Sequence, residues 1–177
     1  MFEVDVEHLI TRWREALADG ARSRRVELLV LRTSDDRHEM PGFVELDPER
    51  GLLGDRWAQA PNPHPEAQIS LMDRRVVDAL VAGDRARWHV PGDNIIVDAD
   101  VSEAALPVGT RLRLGEAIVE VTAKPHAGCA KFCSRLGKDA LAWVNAAGRR
   151  HLRLRGVYAR VLSAGICRLG DIAELER

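Results

Sequence analysis

Residues 111–114 alternate charged and apolar side chains, and beyond a Gly115-Glu116 pair Ala117, Val119 and Val121 occupy every second position. Period-two alternation gives each strand one apolar face, and a short turn with glycine is typical of a β-hairpin. The other strand-like runs are joined by short turns and do not alternate with long helices, as they would in a doubly wound sheet. We therefore predict a mainly β, α+β fold, in which an antiparallel β-barrel carries peripheral helices.

The remaining segments complete this prediction. Further strand-like runs lie at 25–33, 42–46, 67–72, 153–162 and 166–169. Helical spacing of apolar residues predicts helices at 5–20, 73–83 and 138–147. Asp5 is the expected start of the first helix, and Gly20 its end. We predict a helical extension over residues 1–24 and a barrel domain over 25–177.

Size and composition limit the class of protein. With 177 residues, 46% of them hydrophobic, the chain suffices for one domain with a sizeable core. A net charge of −1 argues against a general nucleic-acid binder, and no apolar run approaches the length of a membrane span. The start lacks a basic leader followed by an apolar segment, and three cysteines fit a reducing compartment. We expect a cytoplasmic protein.

Positive charge is concentrated in one part of the chain. From residue 124 to residue 160 there is a single acid, Asp139. The basic residues in this range are Lys124, Lys131, Arg135, Lys138, Arg149, Arg150, Arg153, Arg155 and Arg160. This half of the chain is expected to hold a small anion.

Cys129 is the strongest candidate for a reactive residue. It follows the strand-like run 117–122 and lies close in sequence to His126, Lys124 and Lys131. Positive neighbours lower the pKa of a thiol, and the resulting thiolate attacks electrophiles and binds soft metals. The alternative is a structural thiol near a barrel rim.

The other cysteines and histidines give weaker signals. Cys133 is interpreted as a small packed residue, with a resolving thiol or a second metal ligand as the alternatives. His126, Cys129 and Cys133 form a His-x2-Cys-x3-Cys pattern, which without a second ligand pair is a weak zinc signal. Cys167 is assigned to the core. His64 lies in a proline-rich loop and is interpreted as exposed, with proton donation to a substrate as the alternative.

Four polar residues are candidates for ligand binding. Arg56 is expected to donate to a phosphate or pterin group, or else to form a surface pair with Asp55. Asn94 is expected either to contact a heterocycle through its amide or to serve as a turn residue. Arg153 and Arg155 share one face of the predicted strand, where they would clamp an anion or lie in solvent.

Several short motifs occur in order along the chain, and together they resemble a MOSC domain, the family named for the C-terminal part of molybdenum cofactor sulfurase. The motifs are Gly51-Leu52-Leu53-Gly54-Asp55-Arg56-Trp57, Pro91-Gly92-Asp93-Asn94-Ile95, Gly128-Cys129-Ala130-Lys131-Phe132, Leu154-Arg155-Gly156-Val157-Tyr158-Ala159-Arg160-Val161-Leu162 and Gly170-Asp171. The resemblance runs from about Val26 to Asp171 and is nearest to the short stand-alone bacterial members. Asp93 departs from the family pattern, because close relatives often have Glu there.

The resemblance implies a β-barrel and a functional cysteine, which maps to Cys129. In similar proteins this cysteine either ligates molybdenum in bound molybdopterin or is thought to carry sulfur as a persulfide. The residues expected to bind the cofactor are Arg56, Asn94, Lys131, Arg153 and Arg155.

Three functions follow from the resemblance. The first is a molybdenum-dependent oxidoreductase that reduces N-hydroxylated compounds; a separate reductase would then supply electrons, because no flavin, haem or iron–sulfur pattern is visible. The second is a persulfide carrier that receives sulfur from another protein, since the chain has no room for a pyridoxal-phosphate desulfurase domain. The third is a non-catalytic cofactor carrier. The loop at 61–65 is expected to border the site.

Overall fold

The structure is a computed structural model that describes residues 5–18, 22–34 and 37–176. Its main element is a seven-stranded sheet with the strand order β1-β7-β6-β10-β9-β8-β12. These strands are β1 (Val26–Leu29), β6 (Ile69–Asp73), β7 (Ile95–Val97), β8 (Arg111–Leu114), β9 (Ala117–Val121), β10 (Val157–Ser163) and β12 (Ala173–Leu175). Every pairing in this sheet is antiparallel except β6 with β7, which is parallel.

The two edge strands of this sheet approach each other. An antiparallel bridge joins Arg25 to Ile172, and the Val26 amide donates to the Asp171 carbonyl at 2.8 Å. The sheet is thus a nearly closed, mostly antiparallel barrel. Closure satisfies backbone groups that an open edge would leave exposed.

Two smaller sheets, counted over the residues that the structure describes, extend the barrel. The first is three-stranded and contains β4 (Phe43–Asp47), β5 (Gly51–Leu52) and β11 (Gly165–Arg168), with β4 in the middle. The second is a ribbon of β2 (Leu31–Arg32) and β3 (His38–Glu39). The ribbon directly continues the chain from β1, so it carries residues from the barrel wall to one side of the molecule.

In the described part of the chain, four α-helices lie outside the barrel: α1 (Val6–Ala18), α2 (Arg74–Leu80), α3 (Ala130–Leu136) and α4 (Lys138–Val144). Among the residues that the structure describes, no helix is long and apolar enough to cross a membrane. Aliphatic side chains of the strands fill the barrel, and a second apolar cluster lies under the helices. Trp143 is fully buried in this second cluster, where its ring meets Trp13 edge-on at 6.4 Å.

The structure confirms the predicted barrel with peripheral helices, although one parallel pair makes the sheet mixed. The hairpin is β8 paired with β9 as predicted. In α1, the Asp5 carboxylate accepts from the Glu7 amide at 3.0 Å, which confirms the predicted start, whereas Gly20 lies outside the described residues. Leu17, near the end of this helix, is 41% exposed.

Several predicted elements have different bounds; the helix predicted at 73–83, for example, is Arg74–Leu80. The run at 25–33 is split at Val30, whose amide donates to the Asn94 carbonyl, so β1 and β2 belong to different sheets. The predicted strand at 153–162 begins only at Val157, because a 3-10 turn occupies Ala147–Leu152 and the chain then turns again. The helix predicted at 138–147 ends at Val144, and α3 was not predicted.

Gly156 shows why a glycine precedes β10. Its φ is +88°, a left-handed conformation that strains other residues. A Cβ at this position would also overlap the Leu71 carbonyl oxygen of the neighbouring strand. The close approach of two strand backbones therefore explains this part of the motif.

Candidate functional site

Cys129 is an exposed thiol at the residue before α3. The chain reaches it from β9 through an irregular loop, and its backbone is extended, with φ −119° and ψ −179°. The Cys129 carbonyl accepts the Cys133 amide at 2.9 Å, which begins the helix. The first amides of a helix have no partners within it, so they face the residue that precedes it.

The pKa of the Cys129 thiol is lowered. Partial burial acts in the opposite direction, but the backbone amides of Phe132 and Lys131 and the positive charge of Arg155 outweigh it. A lowered pKa increases the fraction of thiolate at neutral pH. The thiol is exposed, as expected, but backbone amides and Arg155 lower its pKa, whereas the sequence indicated His126, Lys124 and Lys131 as the sources of positive charge.

His126 does not provide this positive charge. Burial lowers its pKa well below the usual value, and Arg155 and Arg32 lower it further. Its Nδ1 atom is buried without a hydrogen-bond partner, 3.6 Å from an equally unpartnered oxygen of Asp93. At neutral pH the imidazole is therefore uncharged.

Arg155 is a buried charged residue close enough to Cys129 to lower the pKa of its thiol. Its guanidinium donates to Asp93 at 2.5 Å and to the Pro91 carbonyl at 3.2 Å, and it stacks over the Phe132 ring at 4.9 Å. The side chain is only 7% exposed. Arg155 therefore acts on the thiol through its field and through packing on α3.

A cleft of about 870 Å³ is lined by residues near Cys129, although Cys129 itself is not part of the lining. Lys131, which follows Cys129 by two residues, lines it together with Tyr158, whose ring stacks on His126 at 4.0 Å between centroids. The other lining residues are Arg32, Thr33, Ser34, Arg56, Trp57, Gln59, Ala60 and Ala67. Two predicted binding residues, Arg56 and Lys131, therefore lie in one cleft.

Tyr158 is the tyrosine among the residues that line this cleft. Burial raises its pKa, and the charge of Asp93 raises it further. The phenol keeps its proton at neutral pH and is available as a hydrogen-bond donor. Sequence reasoning noted Tyr158 only as part of a motif.

A buried ion pair supports the opposite side of the cleft. The Arg32 guanidinium binds the Asp55 carboxylate through Nε at 2.9 Å and Nη2 at 2.8 Å, and the Asp55 side chain is fully buried. Asp55 also accepts the Trp57 amide at 2.9 Å. Asp55 therefore pairs with Arg32 of the β2–β3 ribbon, which sequence reasoning missed, because no local pattern links positions 23 residues apart.

Asn94 is fully buried and does not reach the cleft. Its amide nitrogen donates to Asp55 at 2.9 Å and to the Val30 carbonyl at 3.3 Å. Its oxygen accepts from the amide and hydroxyl of Ser70. Because every polar atom of the side chain has a protein partner, the predicted contact with a heterocycle is corrected to a structural role.

The two arginines predicted to clamp an anion do not share a sheet face. Arg153 lies in a left-handed conformation at the end of a 3-10 turn, and its guanidinium donates to the Leu106 carbonyl at 2.5 Å. Arg155 is buried against Asp93. Neither arginine lines the cleft, so the predicted anion clamp is corrected. Arg153 binds the Leu106 carbonyl, and Arg155 packs on Phe132 of α3.

The other cysteines occupy different environments. Cys133 is partly exposed one turn after Cys129, and Cys167 is fully buried, which confirms its assignment to the core. Burial raises the pKa of Cys167 to about 12. Within the described ranges, no group of three His, Cys, Asp or Glu side chains is arranged to hold a metal ion.

The loop at 61–65 borders the cleft, as expected. Gln59 and Ala60 precede it, Ala67 follows it, and all three line the cleft. His64 is exposed, and its Nδ1 accepts the Glu66 amide at 3.2 Å, while its carbonyl accepts the Trp57 indole N–H. These contacts hold the loop against the Trp57 side chain.

Comparisons with known proteins agree with this architecture. The family model described as the MOSC domain matches residues 52–174, more than half of the sequence, and the chain belongs to this family. The family is associated with molybdenum cofactor binding. A comparison with curated proteins gives no match.

Three solved structures illustrate the similarity. The chain is 18% identical to YiiM from Escherichia coli, with a TM-score of 0.56, covering 86% of this chain and 70% of that one. It is 14% identical to YiiM from Geobacillus stearothermophilus, with a TM-score of 0.58 and coverages of 86% and 75%. It is 16% identical to the YuaD protein from Bacillus subtilis, with a TM-score of 0.56 and coverages of 83% and 92%. At these identities the likeness shows a shared fold.

Proposed function

We propose that this protein binds a molybdenum–molybdopterin cofactor through Cys129 and reduces N-hydroxylated small molecules. The observation that carries the proposal is an exposed thiol of lowered pKa beside a cleft containing Arg56 and Lys131, in a member of the MOSC family. A separate reductase protein is the proposed electron donor. A reducing compartment such as the cytoplasm would keep Cys129 a free thiol.

The residues present fit such a cofactor. A thiolate is a soft, strongly donating ligand for molybdenum, and the amides near Cys129 favour the thiolate form. The phosphate of molybdopterin requires cationic partners, and the cleft contains Arg56 and Lys131. A volume of about 870 Å³ is within the range of ordinary small-molecule sites.

The bound group would supply the two-electron chemistry, and the protein would supply ligation, orientation and proton donors. Reduction of an N–OH group to N–H releases water and consumes two electrons and two protons. Tyr158 retains its proton at neutral pH and lines the cleft, which supports the proposal that its hydroxyl donates a hydrogen bond to substrate oxygen. His126, neutral and behind the Tyr158 ring, supports that ring by stacking.

Metal content and turnover test the proposal together. Protein purified from cells that make molybdopterin is expected to contain stoichiometric molybdenum and to reduce an N-hydroxylated base with an artificial electron donor. Cys129→Ala is expected to lose both properties. Cys133→Ala is the matched control, because it removes a thiol one turn away, and it is expected to retain both.

Other outcomes would favour the alternatives. Unchanged molybdenum content and turnover in Cys129→Ala would refute the proposal. A thiol-labile mass increase of one sulfur atom on Cys129, without molybdenum, would indicate the persulfide carrier, because a thiolate is also a good sulfur acceptor. Molybdenum that survives Cys129→Ala without any turnover in either protein would indicate a carrier that uses other contacts.

A further inference from the structure

Asn145 forms two hydrogen bonds with the residue that precedes Cys129. Its Oδ1 accepts the Gly128 amide at 2.8 Å, and its Nδ2 donates to the Gly128 carbonyl at 3.1 Å. A side-chain amide that pairs with both backbone groups of one residue imitates a strand partner. The Gly128 peptide is thereby fixed in position and in rotation.

The packing of Gly128 adds to this restraint. A Cβ at Gly128 would lie 2.7 Å from the Leu141 side chain and 3.2 Å from that of Val144. The absence of a side chain therefore lets the loop backbone lie directly against α4. This contact brings the loop within reach of Asn145, which follows the last residue of α4.

The helix against which Gly128 packs is held in the apolar core. Helix α4 is anchored by Trp143, which is fully buried two residues before Asn145. Cys129, by contrast, makes no side-chain hydrogen bond that would cap α3 and hold the thiol in place. The backbone of Cys129 is therefore held on two sides, by its own carbonyl bond to the Cys133 amide and by the bonds of Asn145 to Gly128.

We propose that Asn145 is a positioning residue for Cys129, because its amide clamps Gly128 and so holds the thiol at the start of α3 and beside the cleft. The inference rests on the proposed role of Cys129 as the functional residue. It adds a residue from a different helix to the site, one that no motif marks. A loss of the clamp would let the loop leave the positions in which the Lys131 and Phe132 amides act on the sulfur.

The test compares Asn145→Ala with Ala142→Gly, which weakens the same helix at an exposed position without touching Gly128. Full-length protein is made in cells unable to make molybdopterin, so that the thiol is free. The readout is the pH profile of Cys129 alkylation by iodoacetamide, followed by peptide mass spectrometry. We expect Asn145→Ala to move the midpoint upward by about one pH unit, a roughly tenfold loss of thiolate at lower pH. Ala142→Gly should keep the wild-type midpoint.

Asn145→Asp is the second variant. It retains an acceptor for the Gly128 amide but loses the donor to the Gly128 carbonyl. Hydrogen exchange at the Gly128 amide is expected to be fast in Asn145→Ala and slow in Asn145→Asp and in Ala142→Gly. If Asn145→Ala does not fold, exchange in Asn145→Asp still tests the clamp, because the retained acceptor should keep exchange at the Gly128 amide slow, and fast exchange there would contradict the inference.

A wild-type alkylation midpoint in Asn145→Ala would overturn the inference. Slow exchange at the Gly128 amide in the same variant would also overturn it. Neither measurement needs molybdenum. A shifted midpoint in Asn145→Ala, together with wild-type protein that never binds molybdenum, would therefore refute the proposed function and leave the positioning role intact. An unshifted midpoint, together with wild-type protein that does bind molybdenum, would refute the positioning role and leave the proposed function intact.

Discussion

Asp55 accepts five hydrogen bonds in the interior, and this makes Asp55→Asn a demanding test of the site's architecture. One oxygen accepts from the Arg32 Nη2 group and the Trp57 amide. The other accepts from the Arg32 amide, the Arg32 Nε group and the Asn94 side chain. Asparagine has the same shape but must turn an NH2 group toward at least two donors, and it leaves Arg32 without a counter-charge.

The cost follows from the loss of a buried partner. Removing one member of a buried ion pair costs about 3–5 kcal/mol, because the remaining charge stays buried without compensation. For a chain of this length each kcal/mol lowers the melting temperature by about 2–4 °C, so we expect a decrease of roughly 6–20 °C. Asp47→Asn is the control, since Asp47 caps a surface turn that asparagine also caps well.

The pH dependence of the melting temperature tests whether loss of the ionised Asp55 carboxylate causes the destabilisation. Burial raises the pKa of Asp55, but the hydrogen bonds and charge of Arg32 outweigh it, and the net pKa is lowered. A lowered pKa stabilises the fold above the unfolded-state value of about 3.9, and this stability is lost as the pH falls through the folded-state value. The difference between wild type and Asp55→Asn, measured by thermal unfolding with circular dichroism, should be full at pH 7 and shrink below pH 4. A decrease no larger than that of Asp47→Asn would refute the reasoning.

Two further predictions concern the thiols and a glycine. Iodoacetamide should modify Cys129 with a midpoint below that of an unperturbed thiol. Cys167, with a pKa of about 12, should stay unmodified until the protein unfolds, and its early modification would contradict the assigned core position. Gly156→Ala should strongly lower the melting temperature, because an added Cβ overlaps the Leu71 carbonyl, while Gly148→Ala has open space and should have little effect; equal effects would count against the strand contact.

The spacing of apolar residues predicted those elements whose structure depends on residues close together in the sequence. The β8–β9 hairpin and the start of α1 depend on local alternation and a local cap, and both were found at the predicted places. The split at Val30 depends on the Asn94 carbonyl, 64 residues away in sequence, so no local pattern could indicate it. The residues before β10 look strand-like because Arg153 and Arg155 alternate with leucines, yet each guanidinium is held by a distant partner.

The candidate site was predicted in part for the same reason. Cys129 was predicted because a thiol that follows glycine and has basic residues nearby in the sequence is a local signal. The partners that define its environment come from other segments: Arg155 supplies charge and Asn145 holds the loop. His126 was misjudged as a source of positive charge, because sequence shows adjacency but not the burial that keeps it neutral.

The most direct test of the central claim is X-ray absorption at the molybdenum edge of purified wild-type protein and Cys129→Ser. If Cys129 ligates the metal, the wild-type spectrum contains one molybdenum–sulfur contribution more than the variant, with an oxygen ligand taking its place. Identical sulfur coordination in the two proteins would contradict the assignment of Cys129 as the ligand.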